Sequence, residues 1–302
     1  MTRVAVLGAG AWGTAIASVL AARLDVTLWA RDAAQAAAMA HTRKNERYLR
    51  GFDIPAAVKV TADLADTAGA ELVLAATPVA GLREVLQKTK SQSLVWLCKG
   101  FEEGTGLLPH QVAEQTLGAG ARFGALSGPS FAEEVARGLP CALTLASRDA
   151  AFARSAAAIL HGGRMRVYYS ADLVGVEVGG AVKNVMAIAA GISDGLGLGY
   201  NARAALITRG LAEIARLGAA LGGSSETIFG LTGAGDLILT ASGDLSRNRR
   251  VGLLLSQGLP LAKILSDLGH VAEGVHSARE VAKLAKAQIG RASCRERVSL
   301  TV

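Results

Sequence analysis

The sequence predicts an α/β fold in which residues 1–172 form a parallel sheet wound with helices and residues 173–288 form an all-α segment. Two observations predict it. Over the first part, short β-branched apolar runs alternate with Ala-rich stretches of helical length, the pattern of strands joined by crossover helices. Past residue 172 the strand runs fade and long Gly- and Ala-rich helical stretches replace them. A chain of 302 residues, 51% hydrophobic, can bury a core in each of two such domains.

Taken in order, strands are expected at 3–9 (RVAVLGA), 25–30 (DVTLWA), 71–77 (ELVLAAT), 93–99 (SLVWLCK), 122–128 (RFGALSG), 141–147 (CALTLAS) and 165–170 (MRVYYS). Helices are expected between them at 12–22, 79–90, 105–116 and 149–160. In the second part the clearest helix is NARAALITRGLAEIARLGAALG, 201–222. The join near 170–180 is expected to run into a helix that carries Lys183. No internal repeat or low-complexity linker interrupts the chain.

Several classes of function are disfavoured at this level. Charged residues and Gly interrupt every apolar stretch, so no membrane insertion is expected. The first residues enter an apolar strand without the basic and apolar regions of an export signal, so a cytoplasmic location is expected. Cys98, Cys141 and Cys294 have unrelated spacings, so neither a disulfide framework nor a metal site is expected. The net charge of +7 is scattered, and SRNRR at 246–250 is the densest cluster. That is too little for nucleic acid, but it suits a phosphorylated small molecule. The segment IGRASCRERV, 289–298, breaks the preceding helical pattern and matches the translation of a common sequencing-library adapter. Residues 289–302 are therefore read as a non-native tail, with Cys294 part of it.

GAGAWG, Gly8 to Gly13, fits G-x-G-x-x-G, directly after an apolar strand and before an Ala-rich helix. In that context Gly8 makes a tight turn, Gly10 lets backbone approach a pyrophosphate and Gly13 lets helix pack on strand, so a Rossmann-type dinucleotide site is expected. The second strand ends in LWARD. Asp32 would hold a ribose 2′-hydroxyl, whereas Arg31 would accommodate a 2′-phosphate. The cofactor is thus NAD(P), leaning to NADPH, and simple solvation of either side chain stays open.

Lys183 stands alone in VEVGGAVKNVMAIAAG. Its helical neighbours three and four residues away are Gly179, Gly180, Met186 and Ala187, none of them a carboxylate. It either snorkels to water or enters a cleft where its pKa is tuned for proton transfer. Lys99 is expected at the carboxyl end of a strand, where ligands bind in open α/β sheets, unless it is merely solvated. Ser130 and Glu133 read as a capping box at a helix start that could also bind an anion. Gly233 to Gly235 read as a turn presenting Asp236, either as a functional group or as a helix cap. Ser246, Arg247 and Asn248 suit a phosphate at a helix start, and a solvated basic face is the competing account.

Taken together, GAGAWGTA, NERYLRG, CKGFE, SGPSFAEEV, GVEVGGAVKNVMAIAAGISDGLGLGYNARAALITRG, GLTGAGDLILT, SRNRRVG and VAEGV resemble the bacterial NAD(P)-dependent glycerol-3-phosphate dehydrogenase family. They span residues 1 to about 288 in order. The family's usual Tyr-Leu-Pro-Gly stands here as Tyr48, Leu49, Arg50 and Gly51, and its closing helices are expected to be missing. The resemblance implies a second domain like the C-terminal domain of 6-phosphogluconate dehydrogenase. It also implies reversible hydride transfer between NAD(P)H and dihydroxyacetone phosphate, giving sn-glycerol 3-phosphate for glycerophospholipid synthesis.

By that resemblance Lys183 is the proton acceptor or donor; Asp236 would favour its ammonium form, so its expected role is to orient the amine or the substrate hydroxyl. The resemblance assigns substrate contacts to Lys99, Gly128, Ser130, Lys183, Asp236, Ser246, Arg247 and Asn248. It assigns cofactor contacts to Trp12, Arg31, Lys99, Ala132, Arg247, Val271 and Glu273, which join Gly8, Gly10, Ala11 and Gly13 of the glycine motif in the expected cofactor set. No metal is required, and a homodimer is an expectation. Two alternatives remain at this stage: another two-domain hydroxyacid dehydrogenase acting on a carboxylate substrate, or a non-catalytic dinucleotide-sensing protein. The latter would keep GAGAWG but has no need of Lys183, Asp236 and SRN together.

Overall fold

The structure is a computed structural model that describes residues 1–89, 91, 93–118, 120–268 and 273–288. The tail read as non-native and Val271 lie outside the described residues. The chain divides into two compact units. Unit 1 comprises Met1–Cys98, Pro109–Leu126 and Ser130–Ala171, and unit 2 comprises Lys99–Leu108, Ser127–Pro129 and the chain from Asp172 onward. Two short segments expected with the sheet, 99–108 and 127–129, therefore group with the helical unit.

Unit 1 runs β1 (Arg3–Leu7), α1 (Ala11–Leu20), β2 (Asp25–Trp29), α2 (Ala33–Thr42), β3 (Lys44–Asn45), β4 (Leu49–Asp53), β5 (Val58–Thr61), β6 (Leu72–Ala75), α3 (Val79–Lys88) and β7 (Ser93–Trp96). It continues with α4 (Pro109–Leu117), β8 (Arg122–Ser127), α5 (Ala132–Ala136), β9 (Cys141–Ala146), α6 (Ala150–Leu160) and β10 (Met165–Ser170). Eight strands form one sheet in the order β10-β9-β8-β7-β6-β1-β2-β5. The pairs β1–β2, β1–β6, β2–β5, β6–β7, β7–β8 and β9–β10 are parallel. Chain order reverses at β1, which is flanked by β2 and β6, the switch point at which open α/β sheets bind ligands. All four residues of β6 and of β7 are buried, as expected of strands covered on both faces. Val4, Val6, Val26, Leu28, Leu72 and Leu74 from the central strands share one core with Ile16 and Leu20 of α1.

The strand ends fall short of expectation because turns begin earlier: β1 ends at Leu7 and β7 at Trp96. Helix α4 starts at Pro109 rather than near 105, since a proline is preorganised for the first helical position. The sequence reading passed over α2, the antiparallel β3–β4 hairpin and the edge strand β5.

In unit 2, α7 (Leu173–Gly195) and α8 (Gly199–Ala220) are the two long helices. They are followed by α9 (Ser225–Phe229), a π-type turn (Leu231–Gly235), α10 (Asp236–Ser242), α11 (Arg247–Ser256), α12 (Leu261–Leu268) and α13 (Glu273–Gln288). Val178, Ala181, Val182, Ile214, Leu217 and Leu237 share a core with Phe101 and Leu108. By length and composition α7 would be apolar enough to cross a membrane, contrary to expectation, and 78% of its most apolar window is buried in the protein. Glycines set its crossing with α11. A Cβ on Gly191 would lie 2.0 Å from the Arg249 carbonyl oxygen, and one on Gly252 would lie 2.0 Å from that of Ile188.

Candidate active site

Unit 2 gathers the acid–base groups around α7. Gly179 and Gly180 clear the approach: a Cβ on Gly180 would meet Ser127 Oγ at 3.0 Å and Lys99 Cγ at 3.4 Å. One on Gly179 would meet the Thr232 carbonyl oxygen at 3.1 Å. The side chain of Lys99 and the turn leading to Asp236 can therefore both lie against the helix that carries Lys183.

Lys183 is 7% exposed. Its Nζ donates to Asp236 Oδ1 at 2.8 Å and to Thr240 Oγ1 at 2.7 Å. The Thr240 hydroxyl, one helical turn past Asp236, donates in turn to the Asp236 carbonyl at 2.6 Å, so it is free to accept from the lysine. Asp236 Oδ2 accepts from Lys99 Nζ at 2.6 Å, and Lys99 also donates to the Gly128 carbonyl at 3.3 Å. An ammonium has three hydrogens. Two on Lys183 are used, which leaves one without a protein acceptor among the described residues. Asp236 is thus no helix cap. It opens α10 directly from the π-type turn and spends both carboxylate oxygens on lysines.

The electrostatics follow from that packing. Desolvation lowers the Lys183 pKa from 10.5 to about 8, with Lys99 adding to the effect and Asp236 opposing it. For Asp236, desolvation works upward, but the charges and hydrogen bonds of Lys183 and Lys99 outweigh it and hold the carboxylate below its ordinary range. Burial pushes Glu273 up, against the pull of Lys99, Lys183 and Arg247.

A second network starts at Asn184, beside Lys183. Its Oδ1 accepts from Asn248 Nδ2 at 3.0 Å, its Nδ2 donates to Glu273 Oε2 at 3.4 Å, and Asn248 Oδ1 accepts from the Gly274 amide at 3.1 Å. These bonds tie the start of α11 and the start of α13 to α7. Ser246 is the N-cap of α11, accepting from the Arg249 amide at 3.2 Å, and Arg247 is exposed in the first turn. Arg249 leaves the basic cluster: its guanidinium binds Asp194 at 2.7 Å and Asp244 at 3.0 Å.

Unit 1 holds the expected cofactor residues. Gly8 has φ +121°, and a Cβ there would lie 2.7 Å from the Ala76 carbonyl oxygen. On Gly13 a Cβ would lie 1.9 Å from the Gly8 carbonyl oxygen. Gly10 is the N-cap of α1 with no side-chain capping bond, and a Cβ there would meet nothing within 4 Å. This turn fits a dinucleotide pyrophosphate, whose oxygens would be cradled by the first amides of α1, Ala11 to Gly13. Ala132, at the start of α5, packs in one cluster with Ala11 and Trp12. Ser130 is half-buried, and the residue at the N-cap position of α5 is Phe131 rather than Ser130. Arg31 is exposed and 4.0 Å from Glu84. Asp32 caps α2, accepting from the Ala34 and Gln35 amides, and lies 3.6 Å from Arg47.

Sequence reasoning missed Thr240 and Asn184. The four-residue step from Asp236 to Thr240, one helical turn, was the available signal for the first.

Sequence models of the NAD-dependent glycerol-3-phosphate dehydrogenase N-terminus and C-terminus match residues 3–153 and 172–295. The chain belongs to that family. The glycerol-3-phosphate dehydrogenase (NAD(P)+) of Aromatoleum aromaticum is 60% identical over 288 residues, covering 94% of this chain and 88% of that protein. That of Dechloromonas aromatica is 57% identical over 288 residues, with the same coverage of 94% and 88%. The crystal structure of glycerol-3-phosphate dehydrogenase from Coxiella burnetii superposes with a TM-score of 0.91 at 41% identity, covering 96% of this chain and 91% of that one. Within the glycerol-3-phosphate dehydrogenase family, then, the Lys183 cluster and the glycine turn of α1 are the candidate sites that this geometry offers.

Proposed function

We propose that the chain is an NAD(P)-dependent oxidoreductase that interconverts sn-glycerol 3-phosphate and dihydroxyacetone phosphate. The observation that carries this reading is the buried Lys183, with its pKa lowered to about 8 and its nitrogen held between Asp236 and Thr240. Such a group is poised to exchange a proton near neutral pH. In the reduction, Lys183 gives a proton to the C2 oxygen of the ketone; in the oxidation, its neutral amine takes the proton from the C2 hydroxyl. When bound, the cofactor would supply the hydride to C2 as NAD(P)H in the reduction and accept it as NAD(P)+ in the oxidation. Asp236 and Thr240 aim the amine, and the second cation, Lys99, keeps it from holding its proton too tightly.

The substrate phosphate is assigned to the start of α11, where Arg247 offers a guanidinium and Ser246 and Asn248 sit in the same turn. Gly128 and Ser130 complete the proposed substrate set. Gly8, Gly10, Ala11, Trp12, Gly13, Arg31, Lys99, Ala132, Arg247 and Glu273 are the residues proposed for the cofactor. NADPH is the proposed preference, because Asp32 is engaged as the cap of α2 while Arg31 is exposed. A homodimer, a cytoplasmic place of action and a supply role in glycerophospholipid synthesis go with this reading.

The test is oxidation of NADPH followed at 340 nm with dihydroxyacetone phosphate, beside NADH and beside Lys183→Ala. Turnover that requires Lys183 and favours NADPH supports the reading. Folded protein that binds NADPH yet turns over no dihydroxyacetone phosphate overturns the substrate assignment.

A further inference from the structure

The motif NERYLRG helped mark the family, yet nothing so far gives its first residue, Asn45, a task. Asn45 ends the two-residue strand β3 and is 1% exposed. A buried carboxamide costs free energy unless its donors and acceptor are matched, and here they are. Nδ2 donates to the Ala9 carbonyl at 3.0 Å and to Thr14 Oγ1 at 2.8 Å, while Oδ1 accepts from the Tyr48 amide at 3.1 Å. The Ala9 carbonyl receives a second amide, Gln35 Nε2, also at 3.0 Å.

Ala9 lies between the first two glycines of GAGAWG. In a trans peptide the C=O and the following N–H point in opposite directions. Drawing the Ala9 oxygen into two side-chain amides therefore turns the Gly10 N–H away from them. Gly10 has no side chain to settle the peptide plane itself, and an unanchored glycine peptide is free to rotate. The β3–β4 hairpin, antiparallel with Asn45 opposite Leu49, serves as the arm that delivers the amide.

We infer that Asn45, assisted by Gln35, is a positioning residue for the cofactor, holding the Ala9–Gly10 peptide so that the glycine turn is preset for a pyrophosphate. The inference rests on the NAD(P)-dependent reading above.

The test is fluorescence titration of the full chain with NADPH for wild type, Asn45→Leu, Asn45→Asp and Gln35→Leu, with thermal unfolding and steady-state kinetics in parallel. Asn45→Asp retains an acceptor for the Tyr48 amide but places a carboxylate oxygen against the Ala9 carbonyl. Loss of a buried hydrogen-bond partner predicts NADPH binding weakened about tenfold in both Asn45 variants, and by about threefold in Gln35→Leu. The KM for dihydroxyacetone phosphate and kcat at saturating NADPH stay at wild-type values. Folded variants that bind NADPH as wild type does overturn the inference. So does a KM for dihydroxyacetone phosphate that rises in step with the cofactor constant, which would mark a general structural defect. If the Asn45 variants do not fold, Gln35→Leu, at a half-buried position, decides alone. A wild-type chain that binds no NADPH would instead refute the functional reading on which the inference stands.

Discussion

Lys183 Nζ lies 2.8 Å from Asp236 Oδ1, and both side chains are more than nine-tenths buried. The same carboxylate also faces Lys99 at 2.6 Å, so one negative charge serves two cations. A buried ion pair adds little to stability, since desolvation takes back much of the attraction. The excess positive charge is what makes the arrangement useful: it favours release of a proton and attracts an anion.

Removing the amine should stop the chemistry without stopping cofactor binding. Lys183→Ala is expected to lower kcat by about 10²- to 10⁴-fold, the usual range for a lost proton-transfer group. Lys183→Arg should not rescue it, because a guanidinium stays protonated. Absorbance at 340 nm gives the rate, and NADPH fluorescence verifies binding.

The direction of the pH dependence follows from the same group. Oxidation of sn-glycerol 3-phosphate needs the neutral amine, so its rate should rise through about pH 8, and reduction of the ketone, which needs the ammonium, should fall there. Asp236 raises the lysine pKa, so Asp236→Asn should move the midpoint to lower pH. Lys99 lowers it, so Lys99→Met should move the midpoint upward. Profiles of kcat against pH for the three proteins check both signs. Equal midpoints would refute the electrostatic account.

Phosphate recognition is assigned to the start of α11. Arg247→Ala should raise the KM for dihydroxyacetone phosphate at least tenfold, the cost of a charge-assisted contact, and should also weaken NADPH. A change in only one of the two constants would restrict Arg247 to that ligand.

The α7–α11 crossing has no room for a methyl group. Gly191→Ala and Gly252→Ala each place a Cβ within about 2 Å of a backbone oxygen. Each should destabilise by about 1–3 kcal/mol and lower the melting temperature by about 5 °C. Differential scanning calorimetry measures this directly, and a melt unchanged from wild type would mean the helices part easily.

How much of this was legible in the sequence depended on how local the cause was. The glycine turn was readable because its three glycines answer to strand, turn and helix within six residues. Lys183 was suspect because no carboxylate stood one helical turn away; its partner Asp236 is 53 residues distant, a separation that no periodicity encodes. The strands β3 and β5 stayed hidden because they have two residues and four, too short to show alternation. SRNRR read as one basic cluster, but folding divides it. Arg249 is consumed by Asp194 and Asp244, and only tertiary structure brings Asp194 there.

The grouping of Lys99–Leu108 with the helical unit bears on how the chain is made. Lys99 and Asp236 are 137 residues apart. At about 5–20 residues per second of synthesis, Lys99 leaves the ribosome on the order of 10 s before its carboxylate partner. Phe101 and Leu108 likewise wait for Ile214, Ile228 and Leu237, with which they share a core. A nascent chain arrested before α8 would therefore hold the Lys99 ammonium without its carboxylate and two apolar side chains without these partners, a segment suited to capture by a chaperone.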